Sequence, residues 1–377
     1  MALAEEAAQE AMLRALQTWP YRGVPPEPGA WLQTVARNFA RDRLRREAGW
    51  AELTPAVQRF LEGQREGAAA AGMDDTLAMM LLCCHPSIAP EARVALTLNV
   101  VSGFSTREIA AAFLLAEETV AQRIVRAKRA IREGRVEMAM PSGADAAERL
   151  HSVCDAIYLL FNEGYFASGG ELSIRRDLCD EAVRLLRCVL ETGYATPERW
   201  ALLAMFHLHL ARFGARGAAD GGLASFDEIE DACYGAGHLA QADAALAAAM
   251  RTELVNEWHL EAAIANEHCR TPRNWERIVR FYDALLQMKP TSLVRLNRAV
   301  AVFRAGRREE ALAELDALEK KGGLRDYALL HATQARLHKE AGNHESAIRA
   351  FQSALACTMN KGARALLVKT NIFEQKD

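Results

Sequence analysis

The sequence predicts an all-α fold, and three observations carry this prediction. The 377 residues are rich in Ala, Leu, Glu and Arg, which have high intrinsic helix propensities. Apolar residues recur at spacings of three and four along most of the chain, whereas runs of β-branched residues, which favour strands, are few. Because 50% of the residues are hydrophobic, a chain of this length can bury two or three separate cores.

Breaks in the helical pattern divide the chain into segments. The breaks are rich in Gly, Pro or Ala and lie at residues 21–30, 62–75, 140–145 and 214–222. The second and third breaks predict domain boundaries. We therefore expect a first domain at 1–50, a linker at 51–76, a second domain at 77–135 and a C-terminal extension at 145–377.

The first domain combines an acidic helix with a basic one. Residues 3–19 carry Glu5, Glu6 and Glu10, and because acids repel phosphate, this helix is expected to contact a protein. Residues 28–47 separate apolar side chains from arginines on two sides of a helix. The apolar side carries Leu32, Val35 and Phe39, and the other side carries Arg37, Arg41 and Arg45. This second helix is a candidate contact with nucleic acid.

The second domain contains the pattern of a helix-turn-helix at residues 105–133. Ser105 and Glu108 have the spacing of a capping box, which starts a helix, and a turn at 114–116 leads into a second helix. The second helix has a narrow apolar stripe at Val120, Ile124, Ala127 and Ile131. Its opposite side carries Glu118, Gln122, Arg126 and Arg129. Gln and Arg bond base edges in the major groove. A basic helix face that is merely solvated would have the same pattern, but the further arginine-rich helix at 28–47 favours contact with DNA.

The last third of the chain contains a repeat. Small or apolar residues recur at spacings of 33 and 36, at Ile278, Ala311 and Ala347 and again at Tyr282, Leu315 and Phe351. The dipeptide Ala-Gly at 305–306 returns at 341–342. These spacings are close to the period of tetratricopeptide repeats, which are stacked helix pairs of about 34 residues. We expect a short solenoid of three such units, and an ordinary helical bundle is the alternative.

The order of these segments resembles that of bacterial sigma factors of the extracytoplasmic-function group. The resemblance rests on EEAAQEAMLRAL, on ARNFARDRLRR in the basic helix, and on STREIAAAFLLAEETVAQRIVRAKRAIR. YLLFNEGY at 158–165 and DGGL at 220–223 are similar to marks of the subgroup with a C-terminal tetratricopeptide-like extension. The resemblance covers nearly the whole chain, and the order and spacing of the segments carry it.

The resemblance implies a subunit that directs core RNA polymerase to specific promoters for transcription initiation. The first helix would dock on the clamp helices of the β′ subunit, and the β flap would be a further contact. Residues 21–46 would hold the melted −10 element, and residues 105–132 would read the −35 element. The implied contacts are Glu6, Gln9 and Glu10 for polymerase, Arg37, Asn38, Arg41 and Arg45 for the −10 element, and Glu118, Thr119, Gln122, Arg123 and Arg126 for the −35 element.

The chain departs from the family pattern at two points. Family members carry a further helix before the position of Met1, and their helix-turn-helix often has Gly where Leu114 stands. A left-handed conformation would cost a leucine about 1 kcal/mol, so we expect a different turn. The short linker at 134–146 keeps the extension close to the −35 helix, so we hypothesise that the extension sets activity in cis, by activation or by inhibition. We expect it to activate by positioning the two DNA-binding regions, and a peptide or protein regulator is a candidate ligand of its repeats.

Other functional classes compete with this interpretation. A DNA-binding transcriptional regulator could sense a ligand or peptide through the repeats, independently of polymerase, but it would not need the acidic helix. A repeat scaffold with merely solvated basic helices is the third option. An enzyme is disfavoured because the histidines are scattered and no nucleophile, metal or phosphate-loop spacing occurs.

Composition also bears on metals and location. Cys83, Cys84 and His85 come nearest to metal-ligand spacing, but no second ligand pair follows, so we expect neither a metal nor a cofactor. The eight cysteines include no CxxC pair, which suits a reducing compartment. No apolar run approaches the roughly 20 residues of a membrane span, and the N-terminus has no signal pattern. We expect a cytoplasmic protein without a membrane partner.

Overall fold

The computed structural model confirms the all-α prediction. It describes residues 2–65, 74–133, 136, 141–165, 175–213, 235–320, 324 and 327–357. All regular structure in these ranges is helical, and no helix there is long and apolar enough to span a membrane. The chain divides into two compact units, Met1–Ala195 and Thr196–Asp377. The DGGL motif lies outside the described residues.

The first unit contains eight described helices. They are α1 (Ala2–Arg22), α2 (Pro28–Arg65), α3 (Asp75–Cys83), α4 (Pro90–Val100), α5 (Thr106–Phe113), α6 (Glu117–Arg132), α7 (Gly143–Tyr165) and α8 (Arg176–Glu191). Part of the predicted linker is helical, because α2 continues to Arg65. The first two helices of the predicted extension, α7 and α8, belong to this unit.

Small residues let α1 and α2 pack closely as a pair. Ala7, Ala11 and Ala15 recur every four residues on α1 and are buried. Val35 of α2 is also buried. The rings of Trp19 and Trp31 lie 5.6 Å apart where the chain passes from α1 to α2. Glu5 and Glu6 of α1 remain exposed, as do Arg37 and Arg41 of α2.

The helix-turn-helix forms at the predicted residues. Ser105 and Glu108 make the predicted capping box: the Ser105 hydroxyl accepts from the Glu108 amide at 3.3 Å, and Glu108 Oε2 accepts from the Ser105 amide at 2.8 Å. Ile109 of α5 is fully buried. The α3 helix, which precedes the motif, has its residues from 77 to 83 all buried. It packs against α4 on one side and against α7 and α8 on others.

Gly164 allows α8 to begin directly against α7. A Cβ at Gly164 would lie 2.8 Å from the carbonyl oxygen of Arg175 and 2.7 Å from Cys179 Sγ. The Arg175 amide donates a hydrogen bond to the Gly164 carbonyl at 2.8 Å. Phe161 is buried and stacks on Tyr165, with ring centroids 6.0 Å apart. The YLLFNEGY motif therefore has a packing role, and α7 runs through it to Tyr165.

The second unit also contains eight described helices. They are α9 (Pro197–Ala211), α10 (Ala236–Ala249), α11 (Glu257–His268), α12 (Trp275–Met288), α13 (Ser292–Arg304), α14 (Arg308–Lys320), α15 (Ala328–Glu340) and α16 (His344–Cys357). The α9 helix packs against α10 and α11. His207 of α9 is buried, and its Nδ1 lies 3.1 Å from Nδ1 of His238 at the start of α10.

The sequence repeat corresponds to two helix pairs with the same cap. Gly306 ends α13 and Gly342 ends α15, at φ values of 93° and 83°. At both ends the glycine amide bonds the carbonyl three residues back, and the next amide bonds the carbonyl five residues back from itself. This is the Schellman arrangement, in which glycine is favoured because φ is positive. Of the residues predicted to recur, Tyr282 and Phe351 are half-buried and the other four are buried: Ile278, Ala311, Leu315 and Ala347.

Leu114 closes α5 with the same arrangement, although it is not glycine. Its φ and ψ are 54° and 44°, in the left-handed region. Its amide bonds the Ala111 carbonyl at 3.3 Å, and the Leu115 amide bonds the Ala110 carbonyl at 2.9 Å. The expectation of a different turn was therefore wrong, because these two hydrogen bonds offset the steric cost of the left-handed leucine.

The left-handed conformation of Leu114 predicts that glycine is more stabilising than alanine at this position. Leu114→Gly should be more stable than Leu114→Ala by about 1 kcal/mol, because only glycine adopts positive φ without a steric cost. The measurement is the opening free energy of the α5 and α6 amides by native-state hydrogen exchange. The same two substitutions at exposed Arg126, in the middle of α6, should give the reverse order. Alanine equal to or better than glycine at residue 114 would contradict the strain.

Candidate nucleic-acid interface

The α6 helix presents one buried face and one exposed face. Val120, Ile124, Ala127 and Ile131 are buried, as the sequence predicts. Because this stripe fixes the rotation of α6, the opposite residues face solvent. Of the residues predicted to read the −35 element, Arg123 is half-buried and the others are exposed: Glu118, Thr119, Gln122 and Arg126. The fold brings all of them together on one helix.

The exposed face of α6 has cations available for an anionic partner. Arg129 pairs with Glu133 on the surface, with Nε and Oε1 2.6 Å apart. Within the described ranges no carboxylate pairs with Arg126. Near the start of the helix, Glu117 accepts a hydrogen bond from the Thr106 hydroxyl at 3.0 Å. The guanidinium of Arg126 is thus placed to bind a base edge or a phosphate.

The α2 helix carries a second exposed basic face. Arg37 and Arg41 lie one turn apart and are both exposed. In the part of the chain that the structure describes, neither pairs with a carboxylate. Asn38 is half-buried beside them. Three of the four residues predicted to contact the −10 element are therefore grouped on one stretch of α2.

Arg45, the fourth residue, belongs to an ion network inside the first unit. The central ion network, as we call it, consists of Arg14, Asp42, Arg45, Glu108, Arg175 and Asp177. Arg45 Nη1 lies 3.0 Å from Glu108 Oε2 and 4.0 Å from Asp42 Oδ1. Its guanidinium is paired with the Glu108 carboxylate of the helix-turn-helix, so Arg45 connects α2 to α5.

Arg175, the residue before α8, is the centre of this network. It donates a short hydrogen bond to Asp42 Oδ2 of α2. Its guanidinium also lies 4.0 Å from Glu108 Oε1 of α5 and 3.6 Å from Asp177 Oδ2. Asp177 in turn pairs with Arg14 of α1 at 3.2 Å. One residue of the predicted extension therefore connects both predicted DNA-binding regions.

The network is largely removed from water. Asp42 is 7% exposed as a residue, and the Arg175 side chain is 12% exposed. Burial raises the pKa of Asp42, although Arg175 acts against this effect. Burial also works against the charge of Arg175, but Asp177, Asp42 and Glu108 raise its pKa overall. Removing Arg175 would leave a buried carboxylate with its main cation lost, which is strongly destabilising.

The α7 helix also makes polar contacts with the helices before the motif. Arg93 of α4 is buried, and it donates to the Ile88 carbonyl at 2.8 Å and to Glu148 of α7 at 3.1 Å. Arg149 of α7 is buried and lies 3.5 Å from the carbonyl oxygen of Leu81. These contacts satisfy buried guanidinium groups across the boundary between the second domain and the extension.

The residues predicted to bind polymerase lie on the exposed part of α1. Glu6 and Gln9 are exposed, and Glu10 is half-buried, paired with Arg14 at 2.7 Å. Glu6 lies 3.4 Å from Arg43 of α2. The sequence reasoning missed three exposed apolar side chains on the same helix: Met12, Leu13 and Leu16. Acids beside exposed apolar groups are typical of a protein-binding surface.

The cysteines at 83 and 84 are not placed as metal ligands. Both are buried, and burial raises the pKa of Cys84 to about 12 and that of Cys83 further still. Among the described residues, no group of three or more His, Cys, Asp or Glu side chains could hold a metal ion. The Cys84 thiol lies 3.5 Å from the Thr97 hydroxyl. Both residues act as packing residues of the α3 helix.

Two sequence families with known roles match the regions just described. Residues 1–49 match Sigma-70 region 2, and residues 78–131 match Sigma-70, region 4. Residues 149–250 match a family of unknown function, DUF6596. An uncharacterized protein of Rhizobium meliloti (strain 1021) is 37% identical over 375 residues, which cover 97% of this chain and 88% of that protein. No solved structure matches.

The matches agree with the geometry of both faces. The region 4 match contains the helix-turn-helix and the exposed face of α6, and the region 2 match contains α1 and the basic face of α2. Sigma-70 regions act together in promoter-directed transcription and imply core RNA polymerase and promoter DNA as partners. The chain thus belongs to the sigma-70 family, with regions 2 and 4 followed by a C-terminal helical extension.

Proposed function

We propose that this protein is a sigma factor of the extracytoplasmic-function group that recognises its promoters through α2 and α6. The observation that carries the proposal is the α6 helix, whose buried stripe turns Gln122 and Arg126 toward solvent. Glutamine and arginine at such positions make bidentate bonds to adenine and guanine in the major groove. The protein acts in the cytoplasm as a binding subunit of RNA polymerase rather than as an enzyme.

Loss of Arg126 tests the −35 assignment. Arg126→Ala should weaken binding of the holoenzyme to its −35 element by about 1 to 3 kcal/mol and relax specificity, because one bidentate base contact is removed. Binding is measured on matched and scrambled −35 duplexes. Arg132→Ala is the matched control, since it removes an exposed arginine at the C-terminal end of α6, whereas the N-terminal part of a recognition helix contacts the bases. Equal losses for Arg126→Ala on both duplexes would reject base reading.

Docking on polymerase is proposed for the exposed part of α1, around Glu6, Gln9 and Glu10. Glu6→Lys should weaken binding to core polymerase at least about tenfold, because it reverses a charge within the proposed interface. Glu47→Lys is a matched control: Glu47 pairs with the same Arg43, at 2.9 Å, but lies on α2. Both surface pairs contribute little to folding. Titration of labelled core polymerase measures both variants, and equal affinity of the two would refute the docking assignment.

The extension is proposed to activate in cis by holding regions 2 and 4 in one arrangement. The support for this is the central ion network, in which Arg175 lies within 4.0 Å of Asp42 in region 2 and of Glu108 in region 4. The helix pairs of the second unit are proposed to be tetratricopeptide-like and to present a groove for a peptide or protein regulator.

Substitution of Arg175 tests the proposed positioning. Arg175→Ala should lower transcription in vitro at least about tenfold, because the buried Asp42 carboxylate loses its main cation, a cost on the order of 3 kcal/mol. Arg176→Ala is the control, since Arg176 pairs with Asp180 of its own helix at 3.6 Å. Circular dichroism checks that both variants fold. Raised transcription by Arg175→Ala would show that the contact restrains activity instead of supporting it. Unchanged transcription would show that the contact has no regulatory role.

A further inference from the structure

We infer that Val125 reads the methyl group of a thymine in the −35 element, an inference that rests on the proposed function. Its side chain is 59% exposed, although the neighbouring Ile124 is 4% exposed. A valine gains nothing for a helix by facing water, since its intrinsic helix propensity is below those of Ala, Arg and Gln. It lies on the face that carries the predicted base contacts.

The position of Val125 on α6 is the first support. It follows Gln122 by three residues and Glu118 by seven, so the three side chains form one row along the exposed face. Arg126 follows it directly and is exposed as well. Val125 is thus an exposed apolar side chain that lies next to side chains able to hydrogen-bond base edges. A partner that fits this row must offer both polar edges and an apolar group.

Duplex DNA offers that combination in its major groove. The thymine C5-methyl is the apolar group among the base edges there, and alanine, threonine and phenylalanine are side chains known to contact it. Valine is stiff at χ1 in a helix, so its two methyl groups are held in one direction. A rigid methyl pair can discriminate thymine from cytosine or uracil by contact alone. The net positive charge of the surrounding arginines favours the same partner.

The helix geometry also places this thymine relative to the base pair that Gln122 contacts. Three residues of α-helix advance about 4.5 Å, at about 1.5 Å per residue. Successive base pairs are about 3.4 Å apart. The thymine is therefore one or two base pairs from the adenine that a glutamine at 122 would bond. The row Glu118, Gln122 and Val125 would then read neighbouring pairs in order.

The test uses holoenzyme assembled from the full chain and core polymerase. Duplexes with a randomised −35 segment are first selected for binding, and each thymine of the enriched sequence is then replaced by deoxyuridine, which removes only the methyl group. At one position the wild type should lose about fourfold in affinity, as expected for one methyl group withdrawn from an apolar contact. Val125→Ser should bind the thymine and uracil duplexes equally, because serine presents no methyl group and both bases offer its hydroxyl the same polar groups.

Two further variants make the result specific. Val125→Ile keeps a branched apolar side chain and should retain the preference for thymine. Arg126→Ala should weaken binding overall but keep the thymine-to-uracil ratio, because it removes a different contact. Val125→Ser should fold normally, since the residue is exposed and the helix propensity of serine is close to that of valine.

The outcomes separate this inference from the proposed function. Enriched sequences without thymine, or equal binding of every uracil duplex by the wild type, would overturn the inference. So would a thymine preference that persists in Val125→Ser. In each of these cases −35 recognition itself would stand. If no sequence is enriched at all, the proposed −35 recognition fails and the role of Val125 fails with it.

Discussion

The contact between Arg175 and Asp42 is the interaction on which the arrangement of the first unit depends. Both side chains are nearly removed from water, and buried charges are tolerated only when each has a partner in good geometry. The partners come from α1, α2, α5 and the residues at the start of α8. A shift of any of these helices would leave a charge without compensation. Gly164 contributes indirectly, because its lack of a side chain lets the Arg175 backbone approach α7.

Region 4 shares its hydrophobic core with the extension. Residues 77–83 of the α3 helix are all apolar and all buried, as is typical of a helix enclosed by others. It packs against α4 within region 4 and against α7 and α8 of the extension. The break at 140–145 separates segments of sequence, but the helices on its two sides pack in one compact unit. The unit boundary falls later, after Ala195.

Local features of the fold were predictable from the sequence, and contacts between distant residues were not. The capping box at Ser105 and the buried stripe of α6 depend on spacings of three and four, which are visible in any helical segment. The pairing of Arg175 with Asp42 joins residues 133 positions apart, and no local pattern encodes it. Its one sequence signal was the lone acid Asp42 among the arginines of α2. The exposure of Val125 was not predicted either, because the residues expected to read DNA were all polar or charged.

The shared core also decides how a role in cis can be established. A chain ending near Gly143 would lose α7 and α8, which cover α3, together with Arg175, the centre of the ion network. Its failure in transcription would follow from an exposed apolar helix as readily as from lost regulation. Substitution of a single charged residue in the central ion network avoids this ambiguity, because it leaves the buried apolar side chains of α3 in place. A function of the extension is therefore separable from its structural role only at the level of single charges.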